Sequence, residues 1–266
     1  MEKLNRFVAK NAWFCYVSGC LCAFFALLLL AEWMGIPQIL VFPGTLVVAF
    51  ILAVVVFSRA NDLLKPTLRQ LMQECDPYPM LEETREQLHY PGPRNFVIAR
   101  KMNYALALQY TGQYDEAYEM ISGIPIESLP ASQAALKATY YNNLLSFYMG
   151  KDCFAEAEAA YENMLRSYNA IKNNTQKAAM CPMVEGKKAA LHFCRQEYEL
   201  ALALSESDQQ DPLTQVGYGF FRAKIYLAMG DMENAETELE YVVRHGNRLH
   251  YVTEAKALLK KINTEE

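Results

Sequence analysis

The side chains best suited to chemistry in this chain lie near its C-terminus, where His245 and His250 stand beside Arg244 and Arg248. Grouped in this way they could hold a phosphate or an acidic peptide. Cations at a helix end more commonly meet the negative pole of the helix dipole, and that role is expected of them here. The run GKDC at 150–153 has a lysine after a glycine, but no Ser or Thr follows and the upstream glycine of a phosphate loop is missing. HExxH and GxGxxG do not occur. Neighbouring carboxylates in LEETRE and ETELE have the composition of solvated helix faces, and His192 is expected to pack within a helix pair. Asn173–Asn174–Thr175 is a glycosylation acceptor only on the far side of a membrane, and is read as a loop. The seven cysteines are scattered, odd in number and without a CxxC pair, which suits reduced side chains filling helix interiors or facing lipid. Taken together, these residues predict a protein that is not an enzyme and that uses no cofactor and no metal.

The elements that must position any site divide sharply. Residues 11–31 and 33–58 carry no charge, with Glu32 alone between them, and each run is long enough for the roughly 20 residues a membrane helix needs. A cleaved signal peptide would account for the first run only, whereas a hairpin of two spans, about 11–31 and 37–58, accounts for both. Lys3, Arg6 and Lys10 precede the pair and Arg59, Lys65 and Arg69 follow it, while the connection over 32–38 has neither Lys nor Arg. The excess of cytoplasmic Lys and Arg in membrane proteins then places both termini in the cytoplasm of an integral cell-membrane protein. Trp13 and Trp33 suit the two interfaces, and Pro43–Gly44 predicts a kink near the outer end of the second span. With almost no polar group in mid-membrane, residues 1–60 read as an anchor. Residues 1–58 hold three basic and two acidic side chains, so of the net charge of −5 the remainder carries −6, which disfavours nucleic acid as a partner.

Beyond a helical linker over 61–94, residues 95–266 repeat one short pattern: YTGQYDEA at 110–117, GKDCFAEA, FCRQEYELA and AMGDMENA at 228–235. In the first, Tyr104, Ala105 and Leu108 share a helix face, Gly112 suits a helix exit, and Tyr114 and Ala117 open a second helix. Ala117, Ala157, Ala201 and Ala235 recur at spacings of 40, 44 and 34. The pattern resembles the tetratricopeptide repeat, a pair of antiparallel helices of about 34 residues that stacks into a solenoid. Ala105 with Ala117, and Ala223 with Ala235 around Gly230, Tyr226 and Leu239, carry the resemblance. The departures are Lys101 and Gly219 where Trp is frequent, Arg222 where Leu is common, a longer turn at 150–152, and Gln196 in place of glycine.

The expected fold class is therefore all-α: an N-terminal two-helix transmembrane hairpin, then an α-solenoid of helix pairs ended by a capping helix at about 251–262. The resemblance implies a concave face that receives an extended peptide or a helix of a partner protein. It would be lined by Asn103, Leu106 and Tyr110, by Asn142, Asn143 and Ser146, by Lys187, and by Phe220 and Lys224. Some relatives of that kind clamp a terminal carboxylate, but only Asn143 and Lys187 fall near such positions, so that activity is not expected. The leading expectation is a bacterial membrane-anchored scaffold or adaptor that recruits a protein or peptide, with homo-oligomers open to it. The alternative is an accessory subunit that docks a membrane complex through its hairpin, where Gly19, Ala23 and Ala26 form a small-residue stripe.

Overall fold

The computed structural model describes residues 1–35, 37, 39, 41–205 and 211–265, and its regular elements are all helical. The first five α-helices are α1 (Glu2–Lys10), α2 (Ala12–Met34), α3 (Val41–Phe57), α4 (Arg59–Glu74) and α5 (Tyr78–Gln87). Then come α6 (Arg94–Tyr110), α7 (Tyr114–Ser122), α8 (Ala134–Gly150), α9 (Phe154–Asn169) and α10 (Asn174–Glu185). The last are α11 (Lys188–Cys194), α12 (Tyr198–Ala203), α13 (Pro212–Met229), α14 (Met232–His245) and α15 (His250–Glu265). They form two compact units, residues 1–67 with 83–100, and residues 68–82 with 101–266, so the stretch 61–94 is shared between the two. Parts of the connection at 32–38 and of the break at 205–212 lie outside the described residues.

In the first unit, α2 and the stretch Val41–Glu74 are each long and apolar enough to cross a membrane. The 23 residues of α2 reach about 34 Å, against a hydrocarbon core of about 30 Å. The two helices pack on each other where Gly19 meets Leu52, since a Cβ on Gly19 would lie 3.2 Å from its Cδ1. Their other faces leave Phe14, Leu21, Phe25 and Phe50 exposed, an apolar surface that a soluble core helix would bury. Pro43 lies in the first turn of α3, where its missing N–H breaks no helical bond, so the kink expected there has no cause. At the base of the hairpin, Trp13 packs edge-on against Phe57, ring centres 5.0 Å apart.

The short helix α1 is tied down by charge. Arg6 donates to Glu83 at 2.9 Å and pairs with Glu86, and Lys10 meets Glu86 at 2.6 Å. Glu83 is only 7% exposed and also accepts from Gln87, which in turn donates to the Ala60 carbonyl. The carboxylates of LEETRE are thus partly internal, not a solvated face.

In the second unit the four copies of the short pattern form one and the same turn. Gly112, Asp152, Gln196 and Gly230 all have positive φ, at 79°, 54°, 61° and 78°. The next residue in each case donates back to a carbonyl five residues earlier: Gln113 to Leu108, Cys153 to Tyr148, Glu197 to His192 and Asp231 to Tyr226, at 2.9–3.0 Å. Each turn residue also donates to the carbonyl three before it, which completes a Schellman motif and satisfies the last carbonyls of the first helix. Ala117, Ala157, Ala201 and Ala235 follow at the same offset, and all four are 0% exposed. The turn at 150–152 is no longer than the others, and Gln196 adopts the backbone that glycine adopts elsewhere.

Two insertions account for the uneven spacing. Between α7 and α8 the chain makes two 3-10 turns, Ile126–Ser128 and Ala131–Gln133. Between α9 and α11 it adds α10, whose Val184 joins Leu145, Ala160, Tyr161 and Met164 in one core cluster. Asn173, expected in a loop, is the N-cap of α10 and accepts from the Gln176 N–H at 2.9 Å. Two departures from the repeat pattern compensate each other. Gly219 leaves room for Glu238 and Tyr241 of α14, and Arg222 grips Glu238 with two bonds of 2.6 and 2.9 Å.

Candidate functional site

The basic cluster near the C-terminus does not assemble into an anion site. Arg248 bonds Asp76 at 3.0 Å and stacks 4.0 Å over the Tyr78 ring, while Arg244 reaches Glu240 within its own helix. His250 bonds Glu254 at 3.0 Å, and His245 leans on Tyr241. Lys151 of GKDC pairs with Asp115, and His192 with Glu197. All seven cysteines are free. Among the described residues no group of three or more His, Cys, Asp or Glu is placed to hold a metal ion.

What the second unit does build is a cavity of about 440 Å³. Gln109 and Tyr110 of α6, Tyr114 of α7, and Asn142, Leu145, Ser146 and Met149 of α8 form one side. Pro182 and Met183 of α10 and Lys187, just ahead of α11, form another, and α13 adds Thr214, Gly217, Tyr218, Phe220 and Lys224. Tyr251 and Glu254 of α15 complete it. The lining is mainly apolar and aromatic, with a few polar groups, which is the usual make-up of a ligand site.

The helix α15, expected only to cover the end of the helix pairs, also walls the cavity. Tyr251 lies between α6 and α13, edge-on to Tyr110 at 6.3 Å and stacked on Phe220 at 5.0 Å. Burial pushes the Tyr110 hydroxyl up to about 12 and that of Tyr251 well above its ordinary value, so both stay neutral. Beside them Glu254 accepts from the Tyr114 hydroxyl at 3.2 Å as well as from His250. The segment before α15 is fixed too, since Asn247 donates to the Glu74 carbonyl at 2.7 Å.

Charge is distributed unequally over the walls. Lys224 is neutralised by Asp152, the residue at positive φ in the second turn. Among the described residues Lys187 has only the Ser146 hydroxyl, 3.0 Å from Nζ, and that hydroxyl gives its own proton to the Asn142 carbonyl at 3.1 Å. Among the described residues no carboxylate forms an ion pair with Lys187. Its surroundings hold the ammonium below the ordinary lysine value, because water is withdrawn and no anion replaces it.

Of the residues expected on the concave face, Tyr110, Asn142, Ser146, Lys187, Phe220 and Lys224 line this cavity. Asn103, Leu106 and Asn143 do not. Asn143 is 4% exposed, its amide donates to the Met102 carbonyl, and its own carbonyl accepts from Gln109. It therefore holds α8 against α6 and has no free group to offer a partner. No protein-family model matches the chain, and no curated protein or solved structure matches it significantly. Sequence reasoning missed Tyr218, Tyr251 and Glu254. Tyr251 and Glu254 sit three apart on one helix face, the single sign that the last helix has an inward side.

Proposed function

We propose that the chain is a membrane-anchored interaction module, a scaffold of tetratricopeptide type whose helical pairs recruit a protein or peptide at the face that carries the cavity. The observation that supports this most is convergence. Six of the nine binding residues singled out from the sequence, Tyr110, Asn142, Ser146, Lys187, Phe220 and Lys224, come from α6, α8, the turn before α11, and α13 to one cavity. A module of this kind has no bond to make or break, and its membrane span raises the effective concentration of its partner. The same reading gives α2 and α3 as an anchor, with both termini cytoplasmic on the strength of Lys3, Arg6, Lys10, Arg59, Lys65 and Arg69.

The experiment is in-cell crosslinking of the full-length protein, followed by mass spectrometry, against a variant with Asn142→Ala and Phe220→Ala and unchanged helicity. Partners present with the native chain and lost with the variant are expected. Partners that persist would move recognition to the hairpin or to another face. Reporter fusions at each terminus test the orientation separately.

A further inference from the structure

We propose that the cavity of the second unit binds a small-molecule carboxylate with an apolar, preferably aromatic, body, and that Lys187 is the group that holds its charge. Size is the first argument: about 440 Å³ falls within the roughly 300–1,000 Å³ of small-molecule sites. Enclosure is the second. It is partial: Tyr251, against Tyr110 on one side and Phe220 on the other, walls the cavity between α6 and α13, while the cavity stays open to solvent elsewhere.

Charge decides the class of ligand. An ammonium partly withdrawn from water with a neutral hydroxyl as its one bonding partner among the described residues is costly, and an anion that enters the cavity offsets that cost. A single cation with Ser146 beside it matches a monoanion. A phosphate would call for further cations, and the other lysine on the wall, Lys224, already has Asp152. Apolar contact comes from Phe220 and Tyr251, stacked as a flat wall, and from Met149 and Met183 as adaptable ones, while the one carboxylate of the described lining, Glu254, is held by Tyr114 and His250. The inference goes beyond recruitment and does not rest on it, because binding is read with no protein partner present.

The test is calorimetric titration of the full-length protein in nanodiscs with 3-phenylpropionate, alongside 3-phenylpropan-1-ol, which has the same body without the charge. The carboxylate is expected to bind at least tenfold more tightly than the alcohol. Lys187→Met should lose that margin, Lys187→Arg should keep part of it, and Lys151→Met, outside the cavity, should change nothing. Equal binding of acid and alcohol, no binding of either, or full affinity in Lys187→Met would overturn the proposal. The acid–alcohol comparison uses the native chain and stands even where a variant fails to fold.

Discussion

The ring of His250 lies against the α-carbon of Gly112: a methyl group added there would come within 2.2 Å of the imidazole Nδ1. Gly112 is thus required twice, once for a φ of 79° and once for the closeness of α15. Because Tyr114 and Glu254 hold the same imidazole, the turn of the first helix pair and the start of the last helix form one packed contact.

Gly112→Ala is expected to destabilise the protein by about 2–5 kcal/mol, from left-handed strain of about 1–2 together with overpacking of about 1–3. Gly230→Ala, where nothing lies within 4 Å, should cost only the strain. Urea unfolding of both variants checks the difference. Adding His250→Ala to Gly112→Ala should recover part of the loss, a non-additivity expected of residues in contact.

Gln196 and Asp152 hold a backbone conformation that glycine adopts without strain. Gln196→Gly should therefore raise stability, by up to about 1 kcal/mol. Asp152→Gly should gain less or lose, because it strips Lys224 of its carboxylate. Thermal unfolding of the two variants side by side distinguishes them.

Lys187→Met should unfold later than the native protein when no ligand is present, by on the order of 1 kcal/mol, since it removes a charge held away from water. The sign with pH follows from the lowered folded-state value. As pH rises towards the ordinary lysine range, the native ammonium loses its proton in the folded state first, so the native protein gains stability and the gap to Lys187→Met narrows. Unfolding curves at neutral and alkaline pH measure it.

Glu86 is held below the usual carboxylate range, chiefly by its bond to Lys10 and further by Arg6. Its contribution is complete above the ordinary glutamate value and fades as pH falls through the depressed one. Hydrogen exchange in residues 2–10, corrected for intrinsic rate, should show α1 loosening in acid. Glu86→Gln should reproduce this at neutral pH. The carboxylate is more than a third exposed, so the effect should stay below about 1 kcal/mol.

Much of the helical layout is legible from local signals. Positions of helix exits follow from glycine or from the alanine five residues on, and the two apolar runs need only a count of charges. The turn at Gln196 was obscured because a Schellman exit demands a backbone angle, and glycine is its commonest but not its sole occupant. Pairings across the fold were not legible. Arg222 with Glu238, Asn143 with Met102, and His250 with Gly112 depend on which helices touch, and one sequence read by periodicity holds no information on that. Half of the cavity stayed hidden for the same reason: the first helices of the pairs were read as its lining, and the inward edge of α15 was read only as a cover.

The bonds that fix α1 also have an order in time. Glu83 and Glu86 follow Arg6 by 77 and 80 residues, so a ribosome has finished both apolar helices well before either carboxylate is made. In the anchoring proposed above, the hairpin would enter a bilayer while Arg6 has only Glu2 within reach and the Glu86 partner of Lys10 is not yet made. Once α5 has been synthesised, the same two side chains become structural: Glu83 and Glu86 take up charges that, on the proposed anchoring, would first have directed orientation.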